Sequence, residues 1–256
     1  MPPKPILLTM PSHSKSFQIV LPVYNEECTL ETSVLNLLRF LKENNYHRFS
    51  ILIADNASTD KTAAMGKMLS KRHMHISYLH IDRKGVGIAL KSAWKLSRYD
   101  IVGYMDVDMS TDLKHIKQAL SILDEDKADI VIGSRLLPGS NIKNRLFIRE
   151  IASRAYNLLL KYYLGVHFSD AVCGFKFLKK KAFDHLMKKG IDDNEWFFDT
   201  ELLVKAEWNQ FKIIEIPVHW VDDRGTQVNL AETTVKYLKG MRHLRKQKNE
   251  FQATKF

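Results

Sequence analysis

Between residues 17 and 132 the chain alternates short runs of aliphatic and β-branched residues with stretches whose apolar positions recur every three or four residues. The runs at 17–23, 50–54, 76–81, 101–105 and 129–132 are bounded by polar clusters, which predicts strands. Leu30, Val34, Leu37, Leu38 and Leu41 share one helical face, with Glu26 and Glu27 at its positive end and Asn44-Asn45 at its stop. Such alternation is the signature of an α/β unit with parallel strands. Past residue 133 the pattern is less regular: a Gly/Pro/Asn-rich loop at 137–144, an amphipathic helix over 146–164, a helix near 180–189 and a strand at 213–220. Open α/β sheets bind ligands at the carboxyl ends of their strands, where Asp55, Asp82, Asp106 and Asp108 collect in this reading.

Composition narrows the class. The 256 residues are 45% hydrophobic and 27% charged, which excludes disordered and fibrous proteins. Lys plus Arg number 39 against 29 Asp plus Glu, and the resulting charge of +10 calls for an anionic partner: nucleic acid, nucleotide, phosphate or lipid headgroup. No apolar run approaches the roughly 20 residues of a membrane span, so no anchor is expected. Residues 1–16, rich in Pro and Ser, are expected to form a flexible leader without a secretory core. Cys28 and Cys173 alone suggest a reducing compartment and no disulfide framework. The Asn56-Ala57-Ser58 triplet reads as a chance glycosylation match, and the His73-Met74-His75 pair as surface. The segment from Gly85 to Lys91 lacks both the third glycine of a dinucleotide fingerprint and the spacing of a P-loop.

The most informative cluster is Tyr104-Met105-Asp106-Val107-Asp108-Met109-Ser110. In an extended segment Asp106 and Asp108 point to one side, so both carboxylates can converge on a hard cation such as Mg2+ or Mn2+ that orients a pyrophosphate. The same residues also suit a strand end followed by a helix, with Ser110 or Thr111 capping and Asp112 on the dipole. Ile19-Val20-Leu21-Pro22-Val23-Tyr24-Asn25-Glu26-Glu27, Asp55-Asn56-Ala57-Ser58-Thr59-Asp60-Lys61-Thr62 and Gly133-Ser134-Arg135 complete an ordered set that resembles the family 2 glycosyltransferases. The resemblance extends through Asp170-Ala171-Val172-Cys173-Gly174-Phe175-Lys176, the run from Trp196 to Leu203, and Pro217-Val218-His219-Trp220. These look like the dolichyl-phosphate glucosyl- and mannosyltransferases, over about residues 17–230.

The resemblance implies a GT-A-type, Rossmann-like, mostly parallel sheet flanked by helices, in a single domain with an acceptor-side helical subdomain. Residues 17–112 would form the nucleotide-sugar half, 113–230 the acceptor half and 231–256 a basic amphipathic tail. Pro22, Tyr24, Asn25, Glu26 and Asp55 would cradle the nucleoside, with Lys84 and Gly85 beside it. Asp106 and Asp108 would hold the metal and the diphosphate, joined by Ser110, where many relatives carry Gln. Asp55 could instead cap the helix beginning near Asp60.

Arg135 follows a strand, and Arg149 and Ser153 lie four apart on one helical face, so they can converge on a phosphate, which the resemblance assigns to the acceptor lipid. Arg145 and Arg154 read as a solvated helix face. A phosphate monoester is already anionic at neutral pH and needs no protein base; a hydroxyl acceptor would need one, with Asp199 or Glu201 as candidates. Where relatives commonly show Gly-Ser-Lys, this chain has Arg224-Gly225-Thr226-Gln227-Val228, so Arg224 is the cation expected to fold over the leaving group.

The expected activity is metal-dependent, inverting hexosyl transfer from a UDP- or GDP-sugar to a polyprenyl phosphate. The alternatives are transfer to a soluble or protein hydroxyl and a non-catalytic nucleotide-sugar-binding module. The apolar and basic residues of 145–161 and 236–248 suit an anionic membrane surface on the cytosolic side, or core packing and a soluble tail. Many relatives continue into membrane helices beyond this point, so a separate membrane-embedded partner is also among the expectations. No nucleic-acid-binding motif accompanies the charge, and no nucleic-acid partner is expected.

Overall fold

The computed structural model describes residues 15–222 and 230–253. In chain order the elements are β1 (Phe17–Val23), α1 (Leu30–Glu43), β2 (Phe49–Asn56), α2 (Thr62–Arg72), β3 (Ile76–Ile81), α3 (Val86–Leu96), β4 (Ile101–Met105), α4 (Lys114–Asp124), β5 (Ile130–Ser134), β6 (Asn141–Lys143), α5 (Phe147–Leu164), β7 (Phe175–Lys179), α6 (Lys180–Lys188), α7 (Phe198–Trp208), β8 (Ile213–Pro217), β9 (His219–Val221) and α8 (Leu230–Ala253). Seven strands form one sheet in the order β3-β2-β1-β4-β7-β5-β8, and β6 pairs with β9 in a small second sheet. The neighbours β3, β2, β1 and β4 run parallel, so their carboxyl ends share an edge.

Both faces of the sheet are covered, which is why its strands read as near-continuous apolar runs. Alternate residues of β1 divide between the two layers: Ile19, Leu21 and Val23 pack with the α1 stripe Leu30, Val34, Leu37, Leu38 and Leu41, while Val20 packs with Ala89, Leu90 and Trp94 of α3. The predicted apolar face of α1 is the buried one, and Asn44 and Asn45 do end it, the latter at φ 58°.

Several elements differ from expectation. β7 was not anticipated as a strand; it inserts antiparallel between β4 and β5. The apolar run at 213–220 breaks after Pro217, so that β8 stays in the large sheet and β9 leaves it for β6. Lys179, at the end of β7, is buried and bridges Asp126 at 2.9 Å and Asp129 at 3.1 Å. Of the leader, Lys15 and Ser16 are tied down: the Lys15 ammonium donates to the carbonyls of Leu123 and Asp124, and Ser16 Oγ to Asp100 at 2.6 Å.

The stretch read as a C-terminal tail is for the most part helix α8, docked on the body. Met241 and Leu244 are buried with Leu160 and Leu164 of α5 in one core cluster. Arg245 and Lys248 donate to the carbonyls of Tyr163 and Leu164 at 2.9 and 2.8 Å, satisfying the C-terminal end of α5. Among the described residues no helix is long and apolar enough to cross a membrane.

Candidate active site

The loops after β1 and β2 are stitched together. Asn25, at φ 56°, accepts the Thr59 N–H at 2.8 Å and donates its own N–H to Ser58 Oγ at 3.0 Å, while Glu26 N–H donates to Thr62 Oγ1 at 2.8 Å. Asp55 is fully buried: Oδ1 accepts the Ser58 N–H at 2.9 Å and Oδ2 the Tyr78 hydroxyl at 2.6 Å. Burial pushes its pKa upward, but these hydrogen bonds outweigh it and hold the carboxyl below its usual value. Asn25 and Asp55 thus fix the loops after β1 and β2. Lys84 Nζ sits 3.7 Å from the centre of the Tyr24 ring, a cation–π contact at the rim.

β4 ends at Met105, and the chain then turns instead of staying extended: the Met109 N–H donates to Asp106 O at 3.2 Å, with Met109 at φ 55°. The expected side-by-side extended geometry of Asp106 and Asp108 is thus replaced by a turn that still leaves the two charges in mutual reach. Burial first, then Asp108 and Asp199, push Asp106 up to about 7, against the pull of Arg135 and Lys176. Ser110, expected beside the metal, donates its N–H and its hydroxyl to Asp108 at 2.9 and 2.6 Å and so orients that carboxylate. Asp112 accepts the Lys114 N–H at 3.0 Å at the start of α4, where the sequence placed it on the dipole.

Two crowded carboxylates of hard oxygen suit Mg2+ or Mn2+, which Asp106 and Asp108 would hold. Among the described residues no third His, Cys, Asp or Glu completes a cluster, so diphosphate and water oxygens would supply the other positions. Gly174 is required beneath them, because a Cβ there would land on the Asp106 carboxylate.

Arg135 is nearly buried, fork-bonded to Asp170, and its guanidinium lies over the Trp220 ring at 4.9 Å. Arg149 faces Asp222 at 3.7 Å. Ser153 Oγ accepts Arg145 Nη2 at 2.8 Å, so its partner is Arg145. Arg145 itself corrects the solvated reading: its side chain is only 8% exposed, ion-paired with Glu150 at 3.2 Å, and its pKa is lowered by burial and by nearby Arg135. Arg135 acts electrostatically on both Asp106 and Arg145, and Asp222, the partner of Arg149, acts on Arg145 as well. The sequence signal for Arg145 was its four-residue offset from Arg149.

Asp199 and Glu201 both face inward from α7. Asp199 accepts the Tyr104 hydroxyl and the ammonium of buried Lys176, the latter at 3.3 Å. Burial raises its pKa more than Lys176 and Tyr104 lower it. Glu201 accepts the N–H groups of Asp192 and Asp193 at 3.0 and 2.8 Å. A cavity of ≈ 1280 Å³ is lined by Pro22, Tyr24, Glu26, Lys84, Gly85 and Asp106 of the expected donor set. Its remaining wall comes from residues 192–197 and from Tyr237, Gly240 and Leu244 of α8, which sequence reasoning did not place there. Arg224 and Gln227 lie outside the described residues.

The sequence profile of Glycosyl transferase family 2 matches residues 18–187. The chain is 34% identical over 218 residues to glycosyltransferase AglD of Haloferax volcanii, covering 83% of this chain and 34% of that protein. It is 29% identical over 225 residues to a dolichyl-phosphate beta-glucosyltransferase, ALG5D, of Trichomonas vaginalis, covering 83% of this chain and 68% of that one. The polyprenol monophosphomannose synthase of Mycolicibacterium smegmatis is 25% identical over 210 residues, with 80% and 77% covered. The chain thus spans about a third of the length of the first of these relatives. Glucosyl-3-phosphoglycerate synthase of Mycobacterium tuberculosis, solved with Mn2+, UDP and glucosyl-3-phosphoglycerate, shares the GT-A fold at a TM-score of 0.62 and 16% identity, covering 86% of this chain and 75% of that one. The ordered strand-end motifs, the sheet they sit on and the profile match agree, and the chain belongs to glycosyl transferase family 2.

Proposed function

We propose that the protein transfers a hexose, with inversion, from a UDP- or GDP-sugar to a polyprenyl phosphate at an anionic membrane surface. The observation that carries this reading is Arg135 beside Asp106, with Arg145 and Arg149 at the start of α5, a helix whose outer face leaves Phe147, Ile148, Leu158 and Tyr162 exposed. An anion site next to uncovered apolar surface fits a phosphate on a lipid better than a phosphate on a soluble molecule.

In this reading Tyr24, Lys84 and Gly85 bind the nucleotide end of the donor, and Asp106 and Asp108 hold Mg2+ or Mn2+ at its diphosphate. The bound cation would neutralise charge on the departing diphosphate. Arg135, Arg149 and the Arg145–Ser153 pair orient the acceptor phosphate, whose anionic oxygen displaces the nucleotide from the anomeric carbon with inversion. No protein base is needed for such a nucleophile, which accords with the carboxylates of Asp199 and Glu201 being engaged by Lys176 and by Lys205 and the Asp192 and Asp193 N–H groups. Arg224 stays the proposed cation at the leaving group.

Transfer of radiolabel from UDP-glucose and GDP-mannose into the organic phase, with polyprenyl phosphate and Mn2+ or Mg2+ present, tests this. Label appearing only on a water-soluble phosphorylated acceptor would replace the lipid reading with a soluble one. Binding of nucleotide sugar without any transfer would favour the non-catalytic module.

A further inference from the structure

Three buried charged side chains converge on the backbone of a single loop. Lys91 of α3 donates to the carbonyls of Ile191 and Asp192 at 3.3 and 3.1 Å. From α7, Glu201 Oε2 accepts the N–H groups of Asp192 and Asp193, and Lys205 donates to Gly190 O while its ammonium pairs with Glu201 Oε1 at 2.7 Å. The exposures of Lys91, Glu201 and Lys205 are 8%, 2% and 4%. Ile88 N–H adds a bond to Asn194 O at 3.0 Å, and Gly85 and Gly87 lie so close to Asn194 that neither has room for a Cβ.

Burying an ion is costly unless it is paired and fully hydrogen-bonded, so charges at these three places suit a loop whose conformation must be fixed. The loop borders the donor cavity, and Glu201 is also among the residues that line it. Asp193, Asn194 and Trp196 line the same space as Tyr24, Lys84 and Asp106, and Trp196 is 59% exposed.

Building on the transferase reading above, we infer that Glu201, with Lys91 and Lys205, is a positioning residue that fixes loop 190–196 as the hexose-selecting wall of the donor cavity. Glu201 acts through backbone N–H groups: Oε2 is taken by Asp192 and Asp193 and Oε1 by the Lys205 ammonium. The wall offers an acid, an amide and an indole face, the groups that pair with the hydroxyls and the apolar face of a pyranose. Hexose choice resides in the side chains of Asp193, Asn194 and Trp196, while the backbone of Asn194 rests on Gly85 at the nucleotide end.

The test uses the full chain, with UDP, GDP, UDP-glucose, UDP-galactose and GDP-mannose as probes, in calorimetric binding and in transfer kinetics. Glu201→Ala is expected to raise the KM or Kd of the preferred nucleotide sugar about tenfold, to change affinity for the free nucleoside diphosphate less than about twofold, and to leave the pH profile unmoved. Glu201→Gln, whose amide oxygen can accept the same two N–H bonds, should restore donor affinity to within about threefold. Asn194→Ala and Trp196→Ala, which leave the three clamping side chains intact, should narrow discrimination between glucose and galactose donors, and they carry the test if Glu201→Ala fails to fold. The inference is overturned if Glu201→Gln abolishes kcat at unchanged KM, as loss of a base would, or if the loop variants discriminate as the wild type does. Sugar-dependent binding read this way stands even if no label reaches a lipid, so failure of the acceptor reading is distinguishable from failure of this one.

Discussion

Arg135 grips Asp170 with two side-chain nitrogens, Nε to Oδ2 at 2.8 Å and Nη2 to Oδ1 at 3.0 Å, and its backbone N–H adds a third bond to Oδ2 at 3.0 Å. Burial would raise the pKa of Asp170, yet the guanidinium holds it below the ordinary carboxylate range. Removing one partner strands the other as an uncompensated buried charge, so Asp170→Ala should lose about 3–5 kcal/mol in denaturant unfolding. A depressed folded-state pKa gives stability that is present above the unfolded pKa and lost as pH falls through the folded one. The wild type should therefore lose this contribution in acid, and the variant should show a flatter acid limb; equal limbs would refute the linkage.

Asp106 carries the opposite sign. Its pKa of about 7 lies above the unfolded value, so the folded state holds the extra proton and this group's contribution to stability falls as pH rises from about 4 to 7. A divalent cation competes with that proton. Mn2+ should raise Tm more at pH 8 than at pH 6, and Asp108→Ala should remove the increment and abolish transfer. An equal increment in the variant, or near-normal turnover, would contradict the metal assignment.

The outer face of α5 exposes Phe147 and Tyr162 by 79% and 83%, with Ile151 and Leu158 at 47% and 56%. Replacing all four by Ser should change unfolding free energy little, by the usual standard of exposed sites, about 0.5 kcal/mol each or less. Sedimentation with anionic vesicles at low salt should drop sharply in the variant and in high salt. A wild-type protein that ignores such vesicles would remove the membrane surface from the proposal.

Leu244 of α8 has no exposed surface. Leu244→Ala should destabilise the protein by about 2–5 kcal/mol in chemical denaturation, where a loosely attached tail would give no effect.

Most of the N-terminal half could be read from its pattern because parallel strands buried on both faces leave continuous apolar runs. The runs at 17–23, 76–81 and 101–105 coincide with β1, β3 and β4 to the residue. β7 was harder to see: Phe175–Lys179 runs into a lysine-rich stretch, and its place as an interior strand comes from long-range pairing with β4 and β5. In α8 the apolar residues Val235, Tyr237, Leu238, Met241 and Leu244 permit more than one face; the structure buries Met241 and Leu244 and leaves Val235 and Leu238 exposed. The donor set was mostly legible, since Pro22, Tyr24, Glu26, Lys84, Gly85 and Asp106 line one cavity. Local spacing did not reveal that Asp55 is enclosed by Tyr78, that Ser110 serves Asp108, or that Arg145 is buried, because each depends on a partner's position in the fold.

β7 joins strands from opposite parts of the chain: β4 lies on one side of it, β5 on the other, and Gly174 at its start supports the Asp106 turn. A fragment ending near residue 112 would carry β4 with one edge stripped of its hydrogen-bond partners, an open template for pairing with other chains. Separate expression of a nucleotide-binding piece is therefore a route to aggregation, and circular permutants should keep residues 101–105 and 175–179 within one folding unit.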